Sequence, residues 1–220
     1  MQREFHEELK KQHSKKSSDI NKMKKLLFQS YSYRRKTITS ASKMFNELLE
    51  EFPYFDQNLL REDEFSTILE KKVSLVSNEI AMILNSLWSY YSISSKDMLN
   101  GSIDVIKRLE KDIKVKNIKM ESIIYDAKRL DSNQIAAPRI FFQSKKFSIV
   151  YENIILFTDQ FANFESVLTA LFSFYFIYDL KYPEVFSQVL GLLNSKIFPF
   201  EDVVFNKSVK VEPILAFLKA

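Results

Sequence analysis

The chain has 220 residues, 46% of them hydrophobic, and a formal net charge of +4. This length and apolar content can build the core of one sizeable domain or two small ones, which excludes a chain disordered throughout. Cysteine is absent, which excludes a disulfide framework and a cysteine nucleophile and is typical of an intracellular protein, cytoplasmic or nuclear. Two glycines and five prolines beside 20 phenylalanines favour long helices over a turn-rich all-β fold.

The basic charge is concentrated at the N-terminus. Residues 1–43 hold twelve Lys or Arg and four Asp or Glu, a net charge of +8, whereas the remaining residues hold 20 and 24, a net charge of −4. We predict that residues 1–36 form a basic N-terminal arm, partly helical or disordered, because they lack the apolar run of a secretory signal and show only a short apolar face. A single helical domain is predicted over 37–220, with an all-helical part at 37–132 and a hairpin plus C-terminal helices at 138–220.

Apolar periodicity predicts the first helices of that domain. Apolar residues at steps of three and four from Ile38 to Phe52 predict a helix that Pro53 ends. A longer stripe predicts a helix from about Glu64 to Ser92, with the acidic residues 62–64 at its start, where they suit the helix dipole.

Two further helices are predicted after that stripe. Asn100-Gly101 predicts a turn, and the apolar positions from Ile103 to Ile113 predict an amphipathic helix that follows it. The apolar residues around 123–130 predict a shorter helix, which completes the all-helical part.

The pattern changes at AAPRIFFQSKKFSIVYENIILFTD, residues 136–159. Pro138 breaks a helix, and the runs RIFF, FSIVY and NIILF are short, β-branched and aromatic, which is typical of a small hairpin or meander. The predicted fold class is therefore mainly α: a multi-helix domain with a small β-hairpin or meander insertion near residues 139–157.

Helices return in the last part of the chain. Asn163 predicts the N-cap of a helix to about Leu180, and Pro183 predicts the start of another to about Ile197, with a last short helix after Pro213. The helix at 163–183 has an uncharged run of only 13 residues, too short to span a bilayer, so no membrane span is predicted. Such a helix is either a central core helix or an interface for a second copy or another protein.

A longer segment resembles a known family. It is residues 147–198, FSIVYENIILFTDQFANFESVLTALFSFYFIYDLKYPEVFSQVLGLLNSKIF. The shared pattern is a strand pair with the acidic Glu152, an Ala/Leu/Phe helix, an L-x-Y-P junction at Leu180 to Pro183, and a Phe/Leu helix. It resembles a C-terminal block of the sterile alpha motif domain-containing protein 3-like family. Residues 51–65, EFPYFDQNLLREDEF, resemble that family's F/Y-P-x-L-F-D segment.

The resemblance implies architecture more than activity. No sterile alpha motif domain precedes the resembling segments in this sequence, so a function of that domain is not transferred. The family has no established reaction or catalytic residues, and its scattered copies imply descent from a mobile element.

Few residues in the sequence are of a type and spacing suited to catalysis or metal binding. The only histidines are His6 and His13, both in the basic segment, where solvated side chains are expected. No glycine-rich phosphate loop is present. Asp131, Glu152 and Asp159 flank the predicted strands and would be the carboxylates of a divalent-metal nuclease, the weakest alternative. We predict a protein that is not an enzyme and has no cofactor, metal or small-molecule substrate.

The basic segment carries the alternative function, nucleic-acid binding. Its tyrosines are suited to stack on bases and its Lys and Arg side chains to pair with phosphates. The candidate residues are Lys22, Lys24, Lys25, Tyr31, Tyr33, Arg34, Arg35 and Lys36.

The preferred function is a non-enzymatic protein-interaction or self-assembly module, with a homodimer or another protein as partner. Large aromatic side chains dominate binding hot spots, which makes aromatic residues of the predicted helices the candidate interface. The candidate anchors are Trp88, Tyr90, Tyr91, Phe172 and Phe176.

Overall fold

The structure is a computed structural model, in which the chain is mainly α with a small sheet, as predicted. The residues that it describes are 1–40, 43–94, 98–113, 122–126, 137–152, 154–159, 163–198 and 211–218. The chain divides into two compact units, which are described separately: unit 1 is Met1–Val73 with Ser173–Leu180, and unit 2 is Ser74–Phe172 with Lys181–Ala220.

Unit 1 is built from short helices and the C-terminal end of one longer helix. Its elements are α1 (Gln2–His13), α2 (Ile20–Gln29), α3 (Tyr31–Ser40), α4 (Phe45–Glu51), a 3₁₀ helix (Pro53–Asp56), α5 (Asn58–Leu69) and residues from Ser173 of α8 (Phe164–Ile177).

Residues 1–36 differ most from the expectation of an arm, because they form α1, α2 and most of α3 inside unit 1. Asp19 starts α2 by accepting hydrogen bonds from the backbone N–H groups of Asn21 and Lys22, at 3.0 and 3.1 Å. The short apolar face is real, and it is buried together with residues from α1 and α3. The buried apolar residues of these helices are Leu9, Met23, Leu26, Leu27 and Ile38.

Two predicted helices are interrupted. The helix predicted from Ile38 to Phe52 is divided, since α3 ends at Ser40 and α4 begins at Phe45, although Pro53 does end α4. The helix predicted from Glu64 to Ser92 is also divided, because Glu70 adopts φ of +52° and Lys71 N–H bonds back to Ser66 O at 3.1 Å. A helix end in this left-handed conformation normally uses glycine, so no local signal predicted it at Glu70.

Unit 2 contains the remaining helices and the sheet. Its elements are α6 (Val73–Tyr90, apart from its first residue), α7 (Met98–Asp112), β1 (Ile124–Asp126), β2 (Arg139–Gln143), β3 (Lys146–Tyr151), β4 (Ile154–Asp159), the larger N-terminal part of α8, α9 (Glu184–Ile197) and α10 (Val211–Phe217).

The sheet confirms the predicted meander and adds a strand to it. Strands β2, β3 and β4 pair antiparallel in sequence order, with Ile140 opposite Ile149 and Val150 opposite Ile155. β1 pairs parallel to β2, so a helix at 123–130 is wrong for residues 124–126, and residues 127–136 lie outside the described part of the chain. A parallel partner far along the chain leaves no local turn signal, and three residues are too few to show a period.

Helix α7 begins earlier than predicted. Asn100-Gly101 is not a turn but lies in the first turn of the helix, where the side chain of Trp88 occupies the space beside Gly101. An ideal Cβ built on Gly101 would meet a Trp88 ring carbon at 1.7 Å, so the glycine serves close packing and not a turn.

The apolar helix α8 begins as predicted. The side chain of Asn163 accepts a hydrogen bond from Ser166 N–H at 3.0 Å, which caps the helix. Every residue of α8 from Val167 to Ile177 is buried, which agrees with a core helix. In the part of the chain that the structure describes, no helix is long and apolar enough to cross a membrane.

Candidate functional site

The candidate nucleic-acid residue Arg34 is the centre of a buried ion pair. Its side chain is 0% exposed and that of Glu64 is 1% exposed. The guanidinium donates to both carboxylate oxygens of Glu64, with Nε to Oε1 at 3.3 Å, and Nη1 donates to Leu27 O and Ser30 Oγ, both at 2.5 Å. Burial raises the pKa of Glu64, and the charge and hydrogen bonds of Arg34 oppose that rise. Arg34 therefore has no free edge to offer a phosphate.

Three more of the candidate basic residues have partners inside unit 1. Arg35 Nη1 donates to Ile177 O at 2.7 Å and so satisfies a carbonyl at the end of α8, where a cation also suits the helix dipole. Lys22 pairs with Glu8 at 3.0 Å and Lys24 with Asp63 at 2.9 Å. These contacts link α2 and α3 to their neighbouring helices.

The other candidates of the basic segment are of mixed exposure. Lys25 and Lys36 are exposed, whereas Tyr31 and Tyr33 are half-buried. The Tyr31 ring lies 5.9 Å from the Arg34 guanidinium carbon, and the Tyr33 ring lies 5.3 Å from that of His6. Of these four residues, only Lys25 and Lys36 are accessible to a phosphate, because Tyr31 and Tyr33 already contact other side chains through their rings.

His6 is buried and not solvated, contrary to expectation. It is 0% exposed, with Nδ1 3.1 Å from Tyr54 Oη and Nε2 2.9 Å from Glu51 Oε1. Burial raises the pKa of Tyr54 well above its usual value, so its hydroxyl keeps its proton and donates it to Nδ1, which leaves Nε2–H to donate to Glu51. Burial lowers the pKa of His6, which favours this neutral form.

His6, Glu7 and Glu51 form a group whose ligand atoms lie within 4.8 Å of one another, close enough to hold a metal ion. The arrangement does not suit a metal well. Nε2 of His6 carries a proton, its Nδ1 lone pair is used by Tyr54, and the Lys10 ammonium lies 3.6 Å from Glu51 Oε2. A metal would have to displace that proton and that ammonium, so the group acts as a structural polar cluster that joins α1 to α4.

The other residues considered for metal chemistry do not converge. His13 Nε2 lies 3.0 Å from Asp56 Oδ1. Glu152 follows β3 and Asp159 ends β4, so the six-residue strand β4 separates them by roughly 15–20 Å. Asp131 lies outside the described residues. The two described carboxylates therefore cannot share one metal ion.

A groove runs between α2 and α5, with a pocket of about 300 Å³. Its walls come from α2, the start of α3 and α5, and the Arg34–Glu64 pair lies at its base. The lining residues are Lys24, Leu27, Phe28, Tyr31, Arg34, Asp63, Glu64, Ser66 and Thr67. Phe28 is 77% exposed at the edge of this pocket, which is unusual for so large an apolar side chain.

The five aromatic interface candidates are mostly occupied by packing. Phe172 is 0% exposed and lies against Tyr182 and Phe198 in unit 2. Phe176 is 8% exposed and lies 5.6 Å from the Phe65 ring in unit 1. Neither presents enough area for a partner in this conformation.

The three aromatic residues at the end of α6 are half-buried. Trp88 Nε1 donates to Ile93 O at 2.8 Å and its ring packs on Gly101. Tyr90 lies 5.0 Å from the Tyr91 ring and 5.2 Å from that of Phe217. These contacts lie within unit 2, so an interface role for these three stays a prediction.

Comparison with known families finds one match. Residues 2–57 match the family model described as "Sterile alpha motif domain-containing protein 3, helical domain". This match confirms the predicted resemblance to that family over residues 2–57. It covers roughly a quarter of the chain and includes α1 to α4, whereas the resembling block at 147–198 lies outside it. No curated protein and no solved structure matches the chain.

The match to the sterile alpha motif domain-containing protein 3 helical domain agrees with the observed fold, because residues 2–57 form packed helices and not a flexible arm. A domain of this type suggests protein interaction in general. It does not identify a partner.

Sequence reasoning missed Glu64, His6 and Phe28 as notable residues. Glu64 was interpreted as a charge at a helix start, which is wrong because it lies in the middle of α5, and no sequence pattern links it to Arg34, thirty positions away. A signal did exist for Phe28, because it adjoins the apolar face of α2 and yet lies outside the three-and-four spacing of Met23, Leu26 and Leu27.

Proposed function

We propose that this protein is a non-enzymatic interaction module that associates with itself. The observation that carries the proposal is the internal pairing of its basic helices. Arg34, Arg35, Lys22 and Lys24 hold unit 1 together, while a large apolar side chain, Phe28, is left at the surface beside a groove.

The pairing favours protein contact over nucleic-acid contact. A protein that binds a nucleic-acid backbone gains affinity from cations that neutralise phosphates and release counterions. A cation that already neutralises Glu64 or Asp63 adds little to that gain, since the phosphate would leave the carboxylate unpaired. The acidic side chains of α5 also repel phosphates from the groove.

Contact with protein suits the exposed apolar residues. Unit 1 exposes Phe28 and, on α5, Leu59, which is 52% exposed. Aromatic residues surrounded by polar groups are the usual anchors of protein interfaces. An intracellular location and descent from a mobile element are parts of the same proposal, supported by the cysteine-free composition and by the family resemblance.

Sedimentation velocity of the purified full chain tests the proposal. Over a concentration series from about 1 to 100 μM, which covers the usual range of weak to moderate affinities, we expect the mass to rise from 26.0 kDa towards twice that value. A chain that stays at 26.0 kDa throughout contradicts self-association.

The nucleic-acid alternative is tested in the same series. Labelled single-stranded and double-stranded DNA and RNA are added at low salt, where phosphate contacts are strongest. We expect no complex. Binding that weakens steeply with salt and disappears in Lys25→Ala/Lys36→Ala would instead assign phosphate contact to the two free lysines.

A further inference from the structure

One surface of unit 1 combines an exposed aromatic ring with two oppositely charged walls. This α2–α5 face consists of Lys24, Lys25, Phe28 and Tyr31 on one side and Glu62, Asp63, Ser66, Thr67 and Glu70 on the other. On α5 the polar members Glu62, Asp63, Ser66 and Thr67 lie three or four residues apart, and Glu70 follows as the C-cap residue, so together they form one continuous wall.

The two walls carry opposite charges that are only partly used. Lys24 and Asp63 pair with each other across the groove at 2.9 Å. Lys25 on the basic wall and Glu62 and Glu70 on the acidic wall are exposed, and they form no ion pair with any residue that the structure describes. Each wall therefore retains charge that a second molecule can neutralise.

We propose that unit 1 forms a two-fold symmetric homodimer through the α2–α5 face, in which each Phe28 enters the groove of the other copy. This inference rests on the proposed self-association and names its surface. In a two-fold interface the same patch meets itself, so a patch that is basic on one side and acidic on the other is complementary to its own copy.

The direction of the helices sets the register. Lys24 lies beside Asp63, and further along the two helices Phe28 and Thr67 line the same pocket, so α2 and α5 run in the same direction. Glu70, one turn beyond Thr67, is among the charges that act on Tyr31. A two-fold axis that lies in the interface at the level of Phe28, at right angles to the line from Lys25 to Glu70, places Lys25 of one copy opposite Glu70 of the other, with the helices of the two copies crossed.

A second copy fits this face better than other occupants. An acidic peptide or a nucleic acid would be repelled by the wall of Glu62, Asp63 and Glu70. A basic peptide would be repelled by Lys24 and Lys25 on the facing wall. Only a partner with both charges in the reversed order satisfies the two walls, and the copy has that order by symmetry.

The first test removes the aromatic anchor. Phe28→Asp places a charge in the groove, and a two-fold interface contains the substitution twice, so we expect the dimer dissociation constant to rise by about 100-fold or more. Met82→Asp is the matched control, because Met82 is 68% exposed but lies on α6 in unit 2. It should dimerise like the original chain. Circular dichroism checks that both variants fold.

The second test uses charge reversal and mixing. Lys25→Glu places two acidic side chains opposite each other in its own dimer, and Glu70→Lys places two basic ones, so each variant alone should dimerise about tenfold or more weakly. Mixed together, the two variants restore both contacts in a heterodimer. We expect the heterodimer to form preferentially and to weaken at about 1 M salt, where charges are screened.

The outcomes separate this inference from the proposed function. If the original chain dimerises and Phe28→Asp dimerises equally well, the α2–α5 face is overturned and self-association remains. If the reversed variants do not prefer each other, the register is overturned. If the original chain is monomeric at every concentration, both the surface and the self-association are overturned.

Discussion

The two units bury different kinds of side chain. Unit 1 encloses ionisable groups with a partner for each, such as Arg34 with Glu64, and Arg61 with Asn58 Oδ1 at 2.8 Å. The unit 2 core is dominated by apolar side chains such as Phe172, and both amide atoms of Asn194 are buried there without a hydrogen-bond partner among the described residues. Unit 2 also buries Arg139 and Asp159, so the difference is one of degree: buried polar pairs contribute more to unit 1 and apolar packing contributes more to unit 2.

This difference explains why the two ends of the chain look so unlike in sequence. An apolar core shows itself as a run of hydrophobic residues, as in α8. A core with ion pairs looks like a solvated charged segment, as residues 1–36 do. Basic composition alone therefore does not identify a flexible arm, and four predictions probe the contrast.

The largest effect is expected where a buried charge loses its partner. Glu64→Ala leaves the Arg34 guanidinium unpaired and fully buried, which should lower the free energy of unfolding by about 3–5 kcal/mol in urea titration. The double variant Arg34→Met/Glu64→Leu should recover most of that loss. Asp63→Asn, which breaks the half-exposed pair with Lys24, should cost less than about 1 kcal/mol. Equal losses for Glu64→Ala and Asp63→Asn would contradict the polar account of unit 1.

A loss of unfolding free energy of nearly the same size is expected from a cavity in the apolar core of unit 2. Phe172→Ala empties the space between Tyr182 and Phe198 and should lower the free energy of unfolding by about 3–5 kcal/mol. Urea unfolding followed by the fluorescence of the single tryptophan measures this loss. The loss should not depend on protein concentration, because the ring is buried within one chain. If the loss of unfolding free energy depended on protein concentration, Phe172 would be an interface residue after all.

A smaller effect is expected at Gly101. In an exposed helix, Gly→Ala usually stabilises by about 1 kcal/mol. Here the added methyl group meets the Trp88 ring, so Gly101→Ala should destabilise by about 1–3 kcal/mol and change the tryptophan emission. Stabilisation would show that Trp88 does not pack on this helix.

The most diagnostic effect concerns pH. Burial raises the pKa of Glu110 from its ordinary value of 4.5 to about 7, although Ile123 N–H and Ser122 Oγ both donate to its Oε1. A raised pKa means that its stability contribution is full below pH 4.5 and is lost as pH rises through 7. His6, whose pKa is lowered, acts oppositely, because its contribution is present above pH 6.5 and is lost as pH falls below that value.

Urea titration followed by Trp88 fluorescence measures the unit 2 part of this dependence. As pH rises from 5 to 8, the urea concentration at the unfolding midpoint should fall. In Glu110→Gln the midpoint should depend less on pH. The same fall in Glu110→Gln would show that another group causes it.

The sequence predicted much of the fold. The three antiparallel strands and the cap at Asn163 have strong local signals, since alternation and capping chemistry act over a few residues. The break at Glu70 and the parallel strand β1 were missed because neither depends on local sequence. One uses a non-glycine residue in a left-handed conformation, and the other pairs with a strand across an intervening segment.

The candidate site was less predictable. The sequence identifies Lys22, Lys24, Arg34 and Arg35 as cations. It does not show which carboxylate or carbonyl each of them contacts. Tertiary contacts across tens of residues decide that, and single-sequence periodicity contains no information on them. The position of the exposed Phe28 beside α5 likewise depends on tertiary packing, so the sequence did not predict it.

Hydrogen exchange of the backbone amides tests most directly whether the basic segment is part of the fold. We expect amides in α2 and α3 to exchange slowly in the original chain and much faster in Glu64→Ala, since the buried pair holds these helices in unit 1. Amides in β3 should keep their protection in that variant. Fast exchange throughout residues 1–36 of the original chain would contradict the account and return the segment to a flexible basic arm.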